Sequence, residues 1–329
     1  DNGATFDGSQ PTFPALLYDA GYQTALFGKW HLKSDPIGFD RWEVLPGQGS
    51  YYNPDFLTAE GKHRVQGYCT DIVTDKALAW LDEERDEEGP FLLMVHNKAP
   101  HRTWIPGPDH YDLYVDREMP EPATLFDDYA TRASAAHEQE MEIDRHMYMW
   151  YDLKVEPEEG AELKGPDKWD QLKRMTPQQR STWDEAFLPR NQEFKEANLS
   201  GRDLVRWKYQ RYVKNYLRCI ASVDDNIQRL LDWLDAEGLA DNTIVIYISD
   251  QGFYLGEHGW YDKRFMYEPS FRLPFVMRWP GRIQSGIRDT NLVQNIDVAP
   301  TLLEAAGVAV PDRMQGRSLL PLIAADETN

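Results

Sequence analysis

The feature that most constrains this chain is the stretch 243–264, TIVIYISDQGFYLGEHGWYDKR. It opens with a β-branched apolar run at 244–248, a pattern that favours a buried strand. The run stops at Ser249-Asp250-Gln251-Gly252, so a carboxylate, an amide oxygen and a permissive glycine fall where a strand ends. In a doubly wound α/β sheet, ligands collect beyond the carboxyl ends of the strands. Asp250 and Gln251 both offer oxygen, the donor that hard cations such as calcium take. Lys263 follows in an aromatic loop and adds a point charge. A divalent cation beside a lysine suits an anionic substrate group.

Alone, a strand ending in such residues more often leads into a plain turn. Two other stretches share the grammar, FGKWHL at 27–32 and HNKAPHR at 96–102. Each follows an apolar run and puts Lys or His just past its end. GKWHL, the APH at 99–101 and SDQGFYLGEHGWYDKR at 249–264 resemble the type I sulfatases of the alkaline phosphatase superfamily. FRLPFVMRWP at 271–280 and DVAPTLL at 297–303 are similar to the same family. The resemblance runs from about Thr12 to about Leu320.

That resemblance implies an α/β fold, an alkaline-phosphatase-like (sulfatase) sandwich with a mainly parallel central sheet flanked by helices. It implies sulfuric ester hydrolysis through a formylglycine nucleophile, with one Ca2+ ion. Asp250 and Gln251 would be metal ligands, Gln251 standing where relatives often carry Asn. Lys29 and Lys263 would clamp the sulfate oxygens. His31 would sit against the nucleophile and help resolve the covalent intermediate. His101 would protonate the leaving oxygen or bond to the sulfate, a task that suits a group titrating near neutrality.

The sequence departs from the family in two ways. Formylglycine is made from Cys or Ser in a C/S-x-P-S/A-R motif, which Cys69 (GYCTD), Cys219 (LRCIA) and Ser34 (KSDPI) do not fit. No pair of aspartates precedes Lys29, and little follows Leu320. The expectation is a sulfatase catalytic domain, 1–329, truncated at both ends, inactive as it stands and weak for calcium. A possible insertion or lid is expected at 127–200.

Asp and Glu number 55 against 35 Lys and Arg, a formal charge of -20. That argues against nucleic acid or an anionic membrane as partner. Any anion site must be a local cluster of cations. No signal peptide and no membrane-spanning run is present, and the full-length protein is expected to be exported. Cys69 and Cys219 allow a bridge, but buried free thiols are the simpler reading. The acidic pairs Asp127-Asp128 and Asp224-Asp225 read as solvated faces. Oligomeric state is not legible.

Periodicity predicts helices at 14–20 (capped by Thr12), 67–88, 129–152, 204–237 and 297–306. It predicts strands at 22–27, 91–95, 244–248 and 275–277, with loops at 34–52 and 101–122 and an irregular polar stretch at 156–189. Arg102, Trp104, His110, Tyr254, His258, Trp260 and Tyr261 are candidates to line a sugar pocket, since aromatic faces stack on sugars and Arg or His bonds to hydroxyl or carboxylate groups. GYCTDIVTD at 67–75 and NKAPHR at 97–102 resemble bacterial sulfatases acting on N-acetylglucosamine-6-sulfate, so a sulfated carbohydrate is the expected partner. Two rivals stay open. One is a phosphoester or phosphonate hydrolase of the same superfamily; the other is a non-catalytic sugar-binding scaffold.

Overall fold

The computed structural model describes residues 3–324. The chain opens with helix α1 (Phe13–Asp19), whose first turn is capped by Thr12 Oγ1, accepting from the Ala15 amide at 3.4 Å. Strand β1 (Gln23–Lys29) follows, its five middle residues buried. Then come β2 (Arg41–Leu45), β3 (Asp55–Thr58) and β4 (Gly61–Arg64). Helix α2 (Cys69–Ala79) continues into a wide π turn at Trp80–Glu84 and leads to β5 (Phe91–His96). The five strands form one sheet in the order β4-β3-β2-β1-β5. β1 is parallel to both β2 and β5, whereas β2–β3 and β3–β4 pair antiparallel. The sheet is therefore mixed, parallel where it carries β1 and antiparallel toward one edge.

The remaining elements are α3 (Ser134–Glu138), α4 (Pro177–Ala197), α5 (Gly201–Ala236), β6 (Val245–Ile248), β7 (Tyr254–Leu255), β8 (Tyr261–Asp262), α6 (Glu268–Phe271), β9 (Phe275–Arg278), α7 (Val298–Ala305) and α8 (Leu320–Ala324). The run read as the central strand, β6, pairs antiparallel with β9 in a separate ribbon.

Three readings of the sequence are corrected. The loop at 34–52 contains β2, which was hidden by two charged residues in a five-residue strand. Glu43 is buried there, yet it is matched by Lys76 at 2.6 Å and Arg41 at 2.5 Å. A paired carboxylate can be buried where a lone one cannot. The helix expected at 129–152 shrinks to α3, and the residues around it are held by side-chain bonds. The irregular stretch at 156–189 contains the start of α4. Thr176 and Gln179 form a reciprocal capping box there, and Pro177 begins the helix. That signature was present in the sequence and was outweighed by the polar composition.

The largest core cluster lies between α4, α5 and the long loops. Trp183 and Phe187 stack with centroids 3.8 Å apart, one turn apart on α4. Segment 127–200 contributes Ile143, Met147, Trp150, Leu153, Trp183 and Phe187 to that core.

Both cysteines are free and buried. Burial pushes each thiol up to about 12, and at Cys219 the neighbouring Tyr68 and Tyr51 hydroxyls offset this only in part. The nucleophilic thiolate is therefore scarce at neutral pH. Neither thiol is expected to react with a disulfide reagent in the folded protein, and both are expected to react after denaturation. A fast-reacting thiol in native protein would contradict this packing.

Candidate active site

The site begins where β1 ends. Gly28 has φ +108°, and a Cβ built there would lie 2.0 Å from the carbonyl oxygen of His96. Only glycine lets β1 and β5 close to this distance, next to Lys29 at the carboxyl end of β1. His96 locks the same edge from the other side, its Nδ1 lying 3.0 Å from the Lys29 carbonyl oxygen.

Beyond that edge the cations converge. Burial lowers the Lys29 pKa, as does the charge of Lys263, while Asp250 opposes both. Lys263 is likewise lowered by burial, with Asp262 and Asp250 acting against it. His31 is pushed down by burial, then by Lys29, Lys33 and Lys263. His101 is pushed furthest, to about 3, by burial and then by Lys263, Lys98 and Lys29. Such mutual influence requires proximity. Lys29, His31, His101 and Lys263, from three separate stretches of chain, thus lie within electrostatic reach of one another, with Asp250 within reach of the two lysines. In a chain with a charge of -20, this is a local island of positive potential.

His101 is oriented as well as depressed. Its Nδ1 lies 2.7 Å from the Arg102 carbonyl oxygen, an acceptor, so Nδ1 carries the proton. In the neutral ring Nε2 then holds a free lone pair.

Lys98 completes the cluster. It is 6% exposed, and burial brings its ammonium down to about 8. The sequence reading passed over it. It stands inside NKAPHR, but a lone lysine is ordinarily a solvated charge.

The cation site is thin. Asp250 is exposed, with Ser249 Oγ at 3.5 Å from its carboxylate, and Gln251 follows it. Among the described residues no group of three or more His, Cys, Asp or Glu side chains is placed to hold a metal. Calcium takes about six to eight oxygens. Two donors on consecutive residues, the first within electrostatic reach of Lys29 and Lys263, do not amount to a calcium site.

The aromatic residues assigned to a sugar pocket are placed differently. Trp104 and Trp260 are both 0% exposed. Trp104 packs on Tyr212 at 4.6 Å, and Trp260 on Phe265 at 4.9 Å. Neither has a free face for a sugar ring, so both are corrected to core residues, as are Tyr254 and Tyr261. Arg102 is also committed: its Nε and Nη2 donate to the two carboxylate oxygens of Asp152, each at 2.6 Å. His258 contacts Asp127 at 2.7 Å through Nδ1, and Arg132 bonds to the same carboxylate at 3.0 Å. Asp127 is thus an internal partner and not a solvated face. His110 lies between Ser222 Oγ and the Asp225 carboxylate, each at 3.0 Å, beside a different polar cavity.

Comparison with known proteins now bears on this arrangement. The family model for sulfatases matches residues 5–308. The N-acetylglucosamine-6-O-sulfatase of Bacteroides thetaiotaomicron is 48% identical over 328 residues, covering 98% of this chain and 58% of that protein. An extracellular sulfatase homologue of Drosophila melanogaster is 27% identical over 325 residues, covering 95% of this chain and 24% of the relative. A solved structure of a protein in complex with its substrate D-glucosamine-2-N,6-O-disulfate superposes with a TM-score of 0.93 at 47% identity. That match covers 98% of this chain and 66% of the other. The chain therefore spans roughly three-fifths of the bacterial sulfatase it resembles. The matched span includes Lys29, His31, His101 and Lys263, and the chain belongs to the sulfatase family.

Proposed function

We propose that the full-length protein removes sulfate from a carbohydrate, at the 6-oxygen of N-acetylglucosamine in a glycan. One observation carries the reading: three lysines and two histidines lie within electrostatic reach of one another beyond the end of β1, with one exposed carboxylate near two of the lysines. Like charges held together in a part-buried place repel, and a bound anion relieves that repulsion. A sulfate ester offers such an anion, with three oxygens to share among donors.

Each residue then has a task. Lys29 and Lys263 stabilise the charge that grows on the sulfuryl oxygens in the transition state. His101 is neutral at pH 7 in the free site, because its pKa of about 3 lies well below. An anion beside it offsets the field of the lysines and raises that value. The ring then holds its proton on Nε2 long enough to pass it to the leaving sugar oxygen. His31 faces the same anion from the β1 side. The formylglycine of the family would supply the nucleophile. Calcium, which the family generally uses, does not fit the residues present among those described. The sugar preference rests on the 48% identity to a sulfatase of N-acetylglucosamine-6-sulfate.

Export of the full-length protein fits the likeness to a sulfatase named extracellular. Among the described residues no helix is long and apolar enough to cross a membrane. We read segment 127–200 as an insertion whose aromatic side chains anchor it to the core.

The test is sulfate release by the full-length gene product. It is expected to act at least about tenfold faster on N-acetylglucosamine-6-sulfate than on N-acetylgalactosamine-4-sulfate. Faster release from the 4-sulfate would overturn the assignment.

A further inference from the structure

We propose that Lys98 is a positioning residue, which braces His31 and His101 by pinning the loop at 46–51 beneath them. The proposal rests on the sulfatase reading of the site and adds a residue to it.

Lys98 is buried, and among the described residues it makes no ion pair. A buried ammonium without a carboxylate costs stability. Its contacts show what it holds in return. Its Nζ donates to the Gln48 carbonyl oxygen at 3.0 Å and lies 4.7 Å from the centroid of the Tyr51 ring. The loop it grips has Gly47 at φ +55° and Gly49 at φ +67°, and no strand or helix supports it. An outside anchor is what keeps such a segment in one place.

The loop in turn touches both histidines. Gln48 Nε2 lies 3.4 Å from His31 Nε2 and 3.5 Å from Nδ1, so the amide rests across the ring and not at one nitrogen. Tyr51 Oη donates to the His101 carbonyl oxygen at 2.6 Å. Lys98 also contributes directly, its own carbonyl oxygen accepting from the His101 amide at 3.0 Å. One ammonium therefore links the two imidazoles through a continuous set of bonds, without facing the substrate itself. An ångström of misplacement at a reacting group is enough to cost orders of magnitude in rate.

The test uses the full chain with its histidines isotope-labelled, and inorganic sulfate as the probe. In Lys98→Met, the ring resonances of both His31 and His101 are expected to move. In Gln48→Ala, whose side chain is exposed, only those of His31 are expected to move. In the full-length enzyme Lys98→Met should lower kcat about tenfold while KM stays within about threefold. Unchanged His31 and His101 resonances in Lys98→Met would overturn the proposal. So would a loss confined to KM, which would mark Lys98 as touching substrate. If Lys98→Met does not fold, Gln48→Ala decides: a static His31 ring overturns the brace, and a displaced one supports it. Failure of sulfate to move any resonance in the parent chain, with no sulfate release, would sink the sulfatase reading, and the comparison between variants would still decide on Lys98.

Discussion

Replacing Lys263 by alanine in the full-length enzyme is expected to lower kcat/KM for a sulfated sugar by about 10²–10³-fold, the scale of losing one preorganised donor to a developing anion. The reason lies in the field it shares. Lys263 depresses the pKa of Lys29, His31 and His101 alike, so it stands near all three. Its removal takes away a clamp for the sulfuryl oxygens. It also lets the His101 pKa rise, which moves the alkaline limb of the pH–rate profile, where the general acid loses its proton, upward. Lys263→Arg keeps the charge in a different shape and should retain more activity than alanine. Lys29→Ala should fall in the same range, and the double variant should lose less than the product of the two, because the lysines act as a unit. The check is kcat/KM against pH for the four variants. A Lys263→Ala enzyme within threefold of the parent, with its pH profile in place, would remove Lys263 from the site.

How much of this was legible in the sequence depends on which physical force placed each residue. Lys29 and His101 follow runs of apolar residues that read as strands, and both strands are where the pattern put them. The pairing of β6 with β9 was not legible. An apolar run shows that a strand is buried and leaves its neighbour undetermined. β2 was missed because Glu43 looks like a surface residue until Lys76 and Arg41 are seen beside it. Trp104 and Trp260 illustrate the opposite error. A tryptophan near a site reads the same whether its ring is offered to a sugar or packed on Tyr212 and Phe265. Burial alone separates the two. Lys98 went unnoticed for a similar reason, since nothing local marks a lysine whose partners are a carbonyl and an aromatic ring from a distant loop.

Replacing Asp152 by alanine is expected to destabilise the protein by about 3–5 kcal/mol, the cost of breaking a buried ion pair by removing one partner. Asp152 is 0% exposed and accepts from three donors: Arg102 Nε, Arg102 Nη2 and the Tyr148 amide at 2.8 Å. Burial works against the Arg102 charge, but the bonds to Asp152 outweigh it and hold the guanidinium above its ordinary pKa. Without the carboxylate, that guanidinium would be left between the rings of Tyr151 and Tyr261 with its leading counter-charge gone. Lys154 aggravates the loss. It is fully buried, its pKa is brought down to about 7 chiefly by burial, and Asp152 is the leading charge that favours its protonated form. A second substitution separates charge from shape. Combining Asp152→Leu with Arg102→Met removes both ions and fills their volume, so it should recover most of the loss. The measurement is denaturant unfolding of the two variants and the parent. The outcome also decides what Arg102 is for. An anchor predicts a large change in stability, with activity falling because the Arg102 carbonyl that orients His101 loses its hold. A sugar ligand would show the reverse, in which Arg102→Met raises KM and leaves stability within about 1 kcal/mol. That second pattern would restore Arg102 to the substrate pocket from which its bonds to Asp152 now exclude it.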